Sequence, residues 1–252
     1  MIKVQRQDQL ERLVNARGLI TVNEAVELLG SSPMTVRRDM DELAAENRIT
    51  RVRGGARSVL PAPAALLEQP HDTKRMQHAA EKHRIAQLAA GLIENGDTVF
   101  VGAGSTCELV GNYIEDKTIR VITNSLAAFQ IIKGMPHIEV ILLGGLYRPK
   151  TDVFYGPMTE STLETINLDK VFFGVNGIEG SAITGHNTEI ANLQRIAFNR
   201  GRKRYILADS SKFGRRDYFT FYDLKDIDAL ITDTGITDAQ RAEYSAYTQI
   251  IV

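Results

Sequence analysis

Ser32-Pro33-Met34-Thr35-Val36-Arg37-Arg38-Asp39-Met40 decides how this chain is read. Ser32 is a good helix N-cap, and Pro33 suits the first helical position, where its missing N–H would be unpaired in any case. Val36, Met40 and Leu43 recur at helical spacing, which predicts a helix running towards Asn47 with these three side chains buried. Met34, Thr35, Arg37, Arg38 and Asp41 are then left outside the core. A helix start that presents a small hydroxyl and two adjacent guanidinium groups has what a recognition helix needs in a major groove. Arginine can bond two acceptors on a guanine edge, and Thr or Met can touch a thymine methyl group or a phosphate.

Upstream, Leu10, Leu13 and Val14 share a helical face, with Gly18 as the stop. Thr21 can cap a second helix that turns Val22, Ala25, Val26 and Leu29 inward, and Gly30 with Ser31 makes the turn into the third. Downstream, Ile49-Thr50-Arg51-Val52-Arg53-Gly54-Gly55-Ala56-Arg57 reads as a hairpin with a glycine turn. Alternation sets Arg51 and Arg53 on one face, ready to grip the DNA backbone beside the groove. Three helices and a basic hairpin make a winged helix-turn-helix. The candidate DNA contacts are Ser32, Met34, Thr35, Arg37, Arg38, Arg51, Arg53, Gly54 and Arg57. The plainer alternative is a winged helix used for protein contacts, its arginines a solvated face.

The chain has 252 residues, 43% hydrophobic and 24% charged, as in an ordinary soluble globular protein. Its net charge of -1 hides an asymmetry. Residues 1–58 carry ten Lys/Arg against eight Asp/Glu, a net +2, which leaves -3 for the rest. Arg48, Arg51, Arg53 and Arg57 fall in ten residues without an acid, and a local patch of this kind attracts phosphates whatever the global charge. No run of eighteen apolar residues predicts a spanning helix or a membrane partner, and residues 1–9 lack the apolar core of a signal peptide. Cys107 is the only cysteine, which excludes an intrachain disulfide and suits a reducing cytoplasm.

Pro61, Pro63 and Pro70, three of the seven prolines, interrupt an Ala/Leu-containing stretch and predict an extended connector. A buried arm carrying Leu60, Leu66 and Leu67 is the other way to read it. Beyond it, a helical pattern over 81–93 is followed by strand patterns at 98–101, 120–123, 139–143, 171–174, 205–208 and 229–232. Helical stretches separate most of these, which predicts an α/β domain with a mainly parallel sheet covered on both faces. The expected division is 1–58 for the winged helix-turn-helix, 59–74 for the linker and 75–252 for the α/β effector-binding domain.

Val101-Gly102-Ala103-Gly104-Ser105-Thr106 follows a strand and is expected to open a helix, where glycines and hydroxyls can cradle an anion. It lacks the Lys-Ser/Thr ending of a nucleotide-triphosphate loop. Thr123-Asn124-Ser125, Gly144-Gly145 and Asp209-Ser210-Ser211-Lys212 follow other strands. Such turns meet at the carboxyl ends of an open α/β sheet, where ligands bind. Together they describe an anionic, hydroxylated ligand held by amides, hydroxyls and one lysine.

Ser32 to Met40, followed by Arg53-Gly54-Gly55-Ala56, resembles the DNA-binding signature of the DeoR family of sugar-metabolism regulators, and the resemblance continues through the whole chain. It implies an effector domain related in fold to ribose-5-phosphate isomerase and a phosphorylated sugar as effector. It further implies Ser105 and Thr106 at the phosphate turn, Asp209 and Lys212 at the sugar or phosphate, and Glu81-Lys82 near the same pocket. The effector candidates are thus Lys82, Gly104, Ser105, Thr106, Asn124, Ser125, Gly145, Asp209 and Lys212. Gly102 departs from the family pattern, which usually has Asp at this position.

His71, His78, His83, His137 and His186 show no metal-ligand spacing, and no metal or cofactor is expected. Cys107 reads as a packing residue, and Phe172 and Phe173 as buried sheet residues. Phe213, Tyr218 and Phe219 fit either a pocket cover or the core. The leading expectation is a repressor of a sugar-utilisation operon that works as a dimer or tetramer on double-stranded operator DNA. The competing class is a sugar-phosphate isomerase-like enzyme, with Asp209 or Glu189 as base and Lys212 polarising a carbonyl. A DNA-bound architectural protein with a dead pocket is the third.

Overall fold

The computed structural model describes residues 3–17, 19–46, 48–52, 54–58 and 70–252, and the chain forms two compact units, Met1–Glu68 and Gln69–Val252. The connector stretch 59–69 and Arg53 lie outside the described residues.

In the first unit, α1 (Lys3–Arg17) leads into β1 (Leu19–Thr21), α2 (Val22–Leu29), α3 (Pro33–Ala45), β2 (Ile49–Val52) and β3 (Gly55–Ser58). The caps follow from the side chains. Thr21 and Glu24 form a capping box at α2, Gly30 leaves that helix with a left-handed φ of 59°, and the Ser32 hydroxyl accepts from Thr35 N–H at α3. Leu10, Val14, Ile20, Ala25, Val36, Met40, Leu43 and Ile49 close one core against Ala56. The expected hairpin is present, but β1 joins it as a third strand in the order β1-β3-β2. Three residues wedged between Gly18 and a helix cap carry no readable alternation. β1 and β3 approach so closely that a Cβ on Gly55 would lie 2.2 Å from the Ile20 carbonyl oxygen.

The second unit starts with α4 (His71–Met76) and α5 (Ala79–Gly91). Its large sheet comprises β4 (Thr98–Val101), β5 (Ile119–Thr123), β6 (Ile138–Leu142), β9 (Leu168–Gly174), β12 (Gly201–Leu207), β14 (Ala229–Ile231) and β15 (Gln249–Ile251), with α6 (Leu126–Ile132), α7 (Pro157–Glu164), α8 (Thr188–Arg200) and α9 (Asp238–Ser245) among the connections. A β7 (Leu146–Arg148)–β8 (Val153–Tyr155) hairpin and an antiparallel trio of β10 (Gly177–Glu179), β11 (Ala182–Gly185) and β13 (Phe219–Asp223) are inserted between them. The seven large-sheet strands are all parallel in the order β15-β14-β12-β9-β4-β5-β6.

Alternation along β9 explains the two covered faces. Phe172 packs with Ile85, Ala89 and Val110 on one side, while Phe173 packs with Phe198, Ile206 and Leu230 on the other. The parallel α/β reading therefore holds, with β15 added at one edge. Residues 71–74, read from the sequence as linker, are already helical, and His71 is buried. The short polar run of α4 has no apolar period to betray it. Gly55→Ala must force β1 from β3, and overpacking of this kind costs about 1–3 kcal/mol. Thermal unfolding of the full chain should show the first unit melting earlier; an unchanged melt would contradict this close approach.

Candidate DNA interface and effector site

On α3, Met34 is 73% exposed, Arg37 is exposed, and the Arg38 side chain is exposed with a weak ion pair to Glu42 at 3.2 Å. The Ser32 and Thr35 hydroxyls bond each other at 2.9 Å, so both lie at the start of the helix beside Met34. Asp39, inside the same motif, points the other way. It is 1% exposed and accepts from Arg6 Nε at 2.5 Å and Nη2 at 3.2 Å, a two-pronged pair that pins α1 to α3. Sequence reasoning gave Asp39 no role, although it follows Val36 by three residues on the buried stripe.

The basic run after α3 looks different once folded. Arg48 is spent on Glu11, Asp8 and Glu46, and Glu11 first, then Asp8, hold its guanidinium more firmly protonated than usual. Arg51 donates from Nε to Asp41 at 2.7 Å and from Nη1 to the Gly55 carbonyl at 2.6 Å, fastening the hairpin to α3. The run lacks acids in sequence, but tertiary structure supplies them; this corrects the picture of a bare basic patch. Arg57 is exposed on β3. Gly54 forms the exposed turn at φ 81° and accepts from Val22 N–H at 2.9 Å.

In the second unit, Asp209 follows β12 and is 1% exposed. One carboxylate oxygen caps its own turn by accepting from Ser211; the other is buried, has no hydrogen-bond partner, and lies 3.8 Å from Lys212 Nζ. Lys82, 3% exposed, donates to the carbonyls of Lys74 and Gln77, the latter at 2.6 Å. Burial pushes the Lys82 ammonium below the ordinary lysine range; Asp209 opposes this and Lys212 adds to it, so the three form one electrostatic cluster. From α4, Lys74 donates to Asn176 at 3.0 Å. Glu108, 1% exposed, takes His71 and Arg75, each at 2.7 Å.

The turn after β4 departs from expectation. It leads into a six-residue 3₁₀ segment, Glu108–Tyr113, and not into an α-helix, so there is no macrodipole of useful length behind Ser105 and Thr106. Both side chains are nevertheless buried here, and Gly104 has a φ of 131°. At Gly102 a Cβ would meet the Phe173 ring at 2.1 Å; that ring fills the space an aspartate would need. Asn124, Ser125 and Gly145 do structural work. Asn124 donates to Phe154 at 2.9 Å, Ser125 caps α6, and a Cβ on Gly145 would strike Thr159 Oγ1 at 2.2 Å. Phe213 belongs to the core, whereas Tyr218 is 80% exposed.

Lys82, Asp209 and Lys212 are thus brought together, and Lys74, Arg75, Glu108 and Asn176 join them unforeseen, because their partners are distant in sequence. Among the described residues no cluster of His, Cys, Asp and Glu fits a metal ion, and no helix is long and apolar enough to cross a membrane.

A reading head with an exposed arginine pair, joined to a parallel α/β unit with a lysine–aspartate cluster past its strand ends, defines a ligand-responsive transcriptional regulator. Residues 6–61 match the DeoR-like helix-turn-helix domain, and residues 77–234 match the DeoR C terminal sensor domain. The chain is 42% identical to a lactose phosphotransferase system repressor of Streptococcus mutans and 37% identical to one of Staphylococcus epidermidis, each over 100% of both chains. Partial similarity extends to ribose 5-phosphate isomerase A of Methanocaldococcus jannaschii, with a TM-score of 0.39 and 21% identity over 52% of this chain and 53% of that one. The chain belongs to the DeoR family and is a DNA-binding regulator of the sugar-operon repressor type.

Removing Asp39 strands the Arg6 guanidinium, 15% exposed, beside α3. Asp39→Ala should cost about 1–3 kcal/mol, the usual loss when a buried charged hydrogen bond is broken. Urea unfolding of the full chain checks this, and an unchanged midpoint would mean that the pair contributes nothing.

Proposed function

We propose that this protein represses a sugar-utilisation operon and releases its operator when a phosphorylated sugar binds at the carboxyl end of the parallel sheet. The observation that carries the sensor half is the Asp209 oxygen that accepts no hydrogen bond, buried beside Lys212 and Lys82. Two lysines facing one carboxylate favour an anion, and the open carboxylate oxygen suits a hydroxyl donor on the same molecule. The relatives named above are lactose phosphotransferase system repressors, and a phosphorylated sugar fits the two lysines here. Gly104, Ser105 and Thr106 would line the phosphate side. Phe173 standing where a carboxylate would project from position 102 favours sensing over isomerisation.

On the DNA side, Met34, Thr35, Arg37 and Arg38 would meet base edges, with Ser32, Gly54, Arg53 and Arg57 along the backbone. The pairing of Arg51 with Asp41 supports a role in holding the hairpin on α3. Winged helices recognise DNA in pairs matched to half-site spacing, so we read the working form as a homo-oligomer in the cytoplasm. The functional division is 1–58, 59–70 and 71–252, with α4 assigned to the sensor. α4 follows the connector directly and is fastened to the site through Glu108 and Lys82, which makes it the natural relay.

Fluorescence anisotropy with DNA upstream of its own and neighbouring genes tests both halves. Ribose 5-phosphate, galactose 6-phosphate and tagatose 6-phosphate serve as the effector panel. Arg37→Ala with Arg38→Ala should weaken operator binding by at least 100-fold with the fold intact by circular dichroism, since each good bidentate base contact is worth about 1–3 kcal/mol. Lys212→Ala should keep operator affinity and need at least tenfold more effector. Operator binding that resists the double substitution would sink the assignment of α3, and a wild-type complex that no sugar phosphate loosens would sink the sensor.

A further inference from the structure

A second polar wall adjoins the lysine cluster. Lys74 touches both: its backbone carbonyl accepts from Lys82, and its ammonium donates to Asn176 Oδ1. Asn176 lies two residues beyond the end of β9 and donates from Nδ2 to Asp217 Oδ2 at 2.7 Å. Asp217 Oδ1 in turn meets His186 Nδ1 at 3.2 Å and Tyr218 N–H at 2.7 Å. His186 lies just past the end of β11, so the chain of contacts runs from α4 across the inserted antiparallel trio.

The donor pattern fixes the imidazole. Burial pushes the Asp217 carboxyl up, but the hydrogen bonds from Tyr218, Asn176 and His186 outweigh it and hold the group below the usual carboxylate range. An ionised carboxylate only accepts, so His186 must donate from Nδ1. In the neutral ring Nε2 is then a lone-pair acceptor, and among the described residues it meets no hydrogen-bond partner. The side chain stays 25% exposed. In the neutral ring Nε2 can accept a hydrogen bond from a hydroxyl but gains nothing from a phosphate oxyanion. The lysine cluster has the opposite preference.

We infer that His186, oriented by Asp217 and joined through Asn176 to Lys74, reads a hydroxyl of the ligand's carbon chain while Lys82 and Lys212 hold its anionic end. This rests on the sugar-phosphate reading of the sensor. His186 is thus a specificity-determining residue and Asp217 a positioning one. Sites built to bond a hydroxyl discriminate strongly because an unpaired polar group is costly.

Isothermal titration of the full chain with inorganic phosphate, ribose 5-phosphate, galactose 6-phosphate and tagatose 6-phosphate separates the two walls. For the sugar phosphate that wild type binds most tightly, His186→Ala should weaken binding at least tenfold and leave inorganic phosphate within twofold. His186→Gln, whose amide reaches a similar position, should restore most of the sugar-phosphate affinity. Lys212→Ala should weaken both ligands. Unchanged sugar-phosphate binding by His186→Ala would overturn the inference, as would an equal loss for both ligands, the mark of a merely structural role. A wild-type protein that binds none of the four compounds would instead overturn the sensor reading, and this inference with it.

Discussion

The sensor unit is organised by one topological constraint: its parallel sheet begins in the middle. The chain enters at β4, moves outward through β5 and β6, then returns to lay β9 on the other side of β4 and moves outward again through β12, β14 and β15. Connections from the two halves cover opposite faces, so the chain changes direction between β4 and β9, the switch point beside which open α/β sheets bind ligands. Gly102 to Thr106 follows β4 and Gly174 to Asn176 follows β9, with Gly174 close to the Ala103 carbonyl and to Cys107. Asp209 and Lys212 lie at the end of the next strand, β12. A parallel sheet buried on both faces is stiff, and stiffness suits a site that must tell one small anion from another.

Charge arithmetic separates the two lysines of this cluster. At 3.8 Å, Lys212 and Asp209 attract by about 1 kcal/mol in water and about 4 kcal/mol in a partly shielded site. That neutralises one lysine, whereas Lys82 is left leaning on backbone carbonyls with its ammonium disfavoured by burial. In the reading head the logic is reversed. Arg6, Arg48 and Arg51 are consumed by Asp39, by Glu11 with its neighbours, and by Asp41, while Arg37, Arg38 and Arg57 stay exposed. Internal ion pairs make the scaffold, and Arg37 and Arg57 stay outside it.

Much of this was legible in the amino-acid sequence because the signals are local. The Thr21 and Ser32 caps, Pro33 at the first position of α3, the Val36-Met40-Leu43 stripe and six of the seven large-sheet strands depend on neighbours a few residues away. Elements without local periodicity were missed: β1, β15 and α4 are three to six residues long, and β13 pairs with β11 from some forty residues away. The site divides the same way. Asp209, Lys212 and Lys82 were marked by family resemblance, whereas the contacts that Asn124 makes to Phe154 and Ser125 to its own helix appear only in the fold. Lys74, Glu108, Asn176 and His186 gain meaning only from partners that folding supplies.

Ligand and operator must be linked through one equilibrium if the sensor controls the head, and linkage is reciprocal. The most direct test is to titrate the sugar phosphate that releases the operator into free protein and into protein saturated with operator DNA. A ligand that weakens operator binding tenfold must bind the operator complex tenfold more weakly, a difference of about 1.4 kcal/mol. Equal ligand affinity in the two titrations would show that the sensor and the reading head act independently, and would contradict the mechanism.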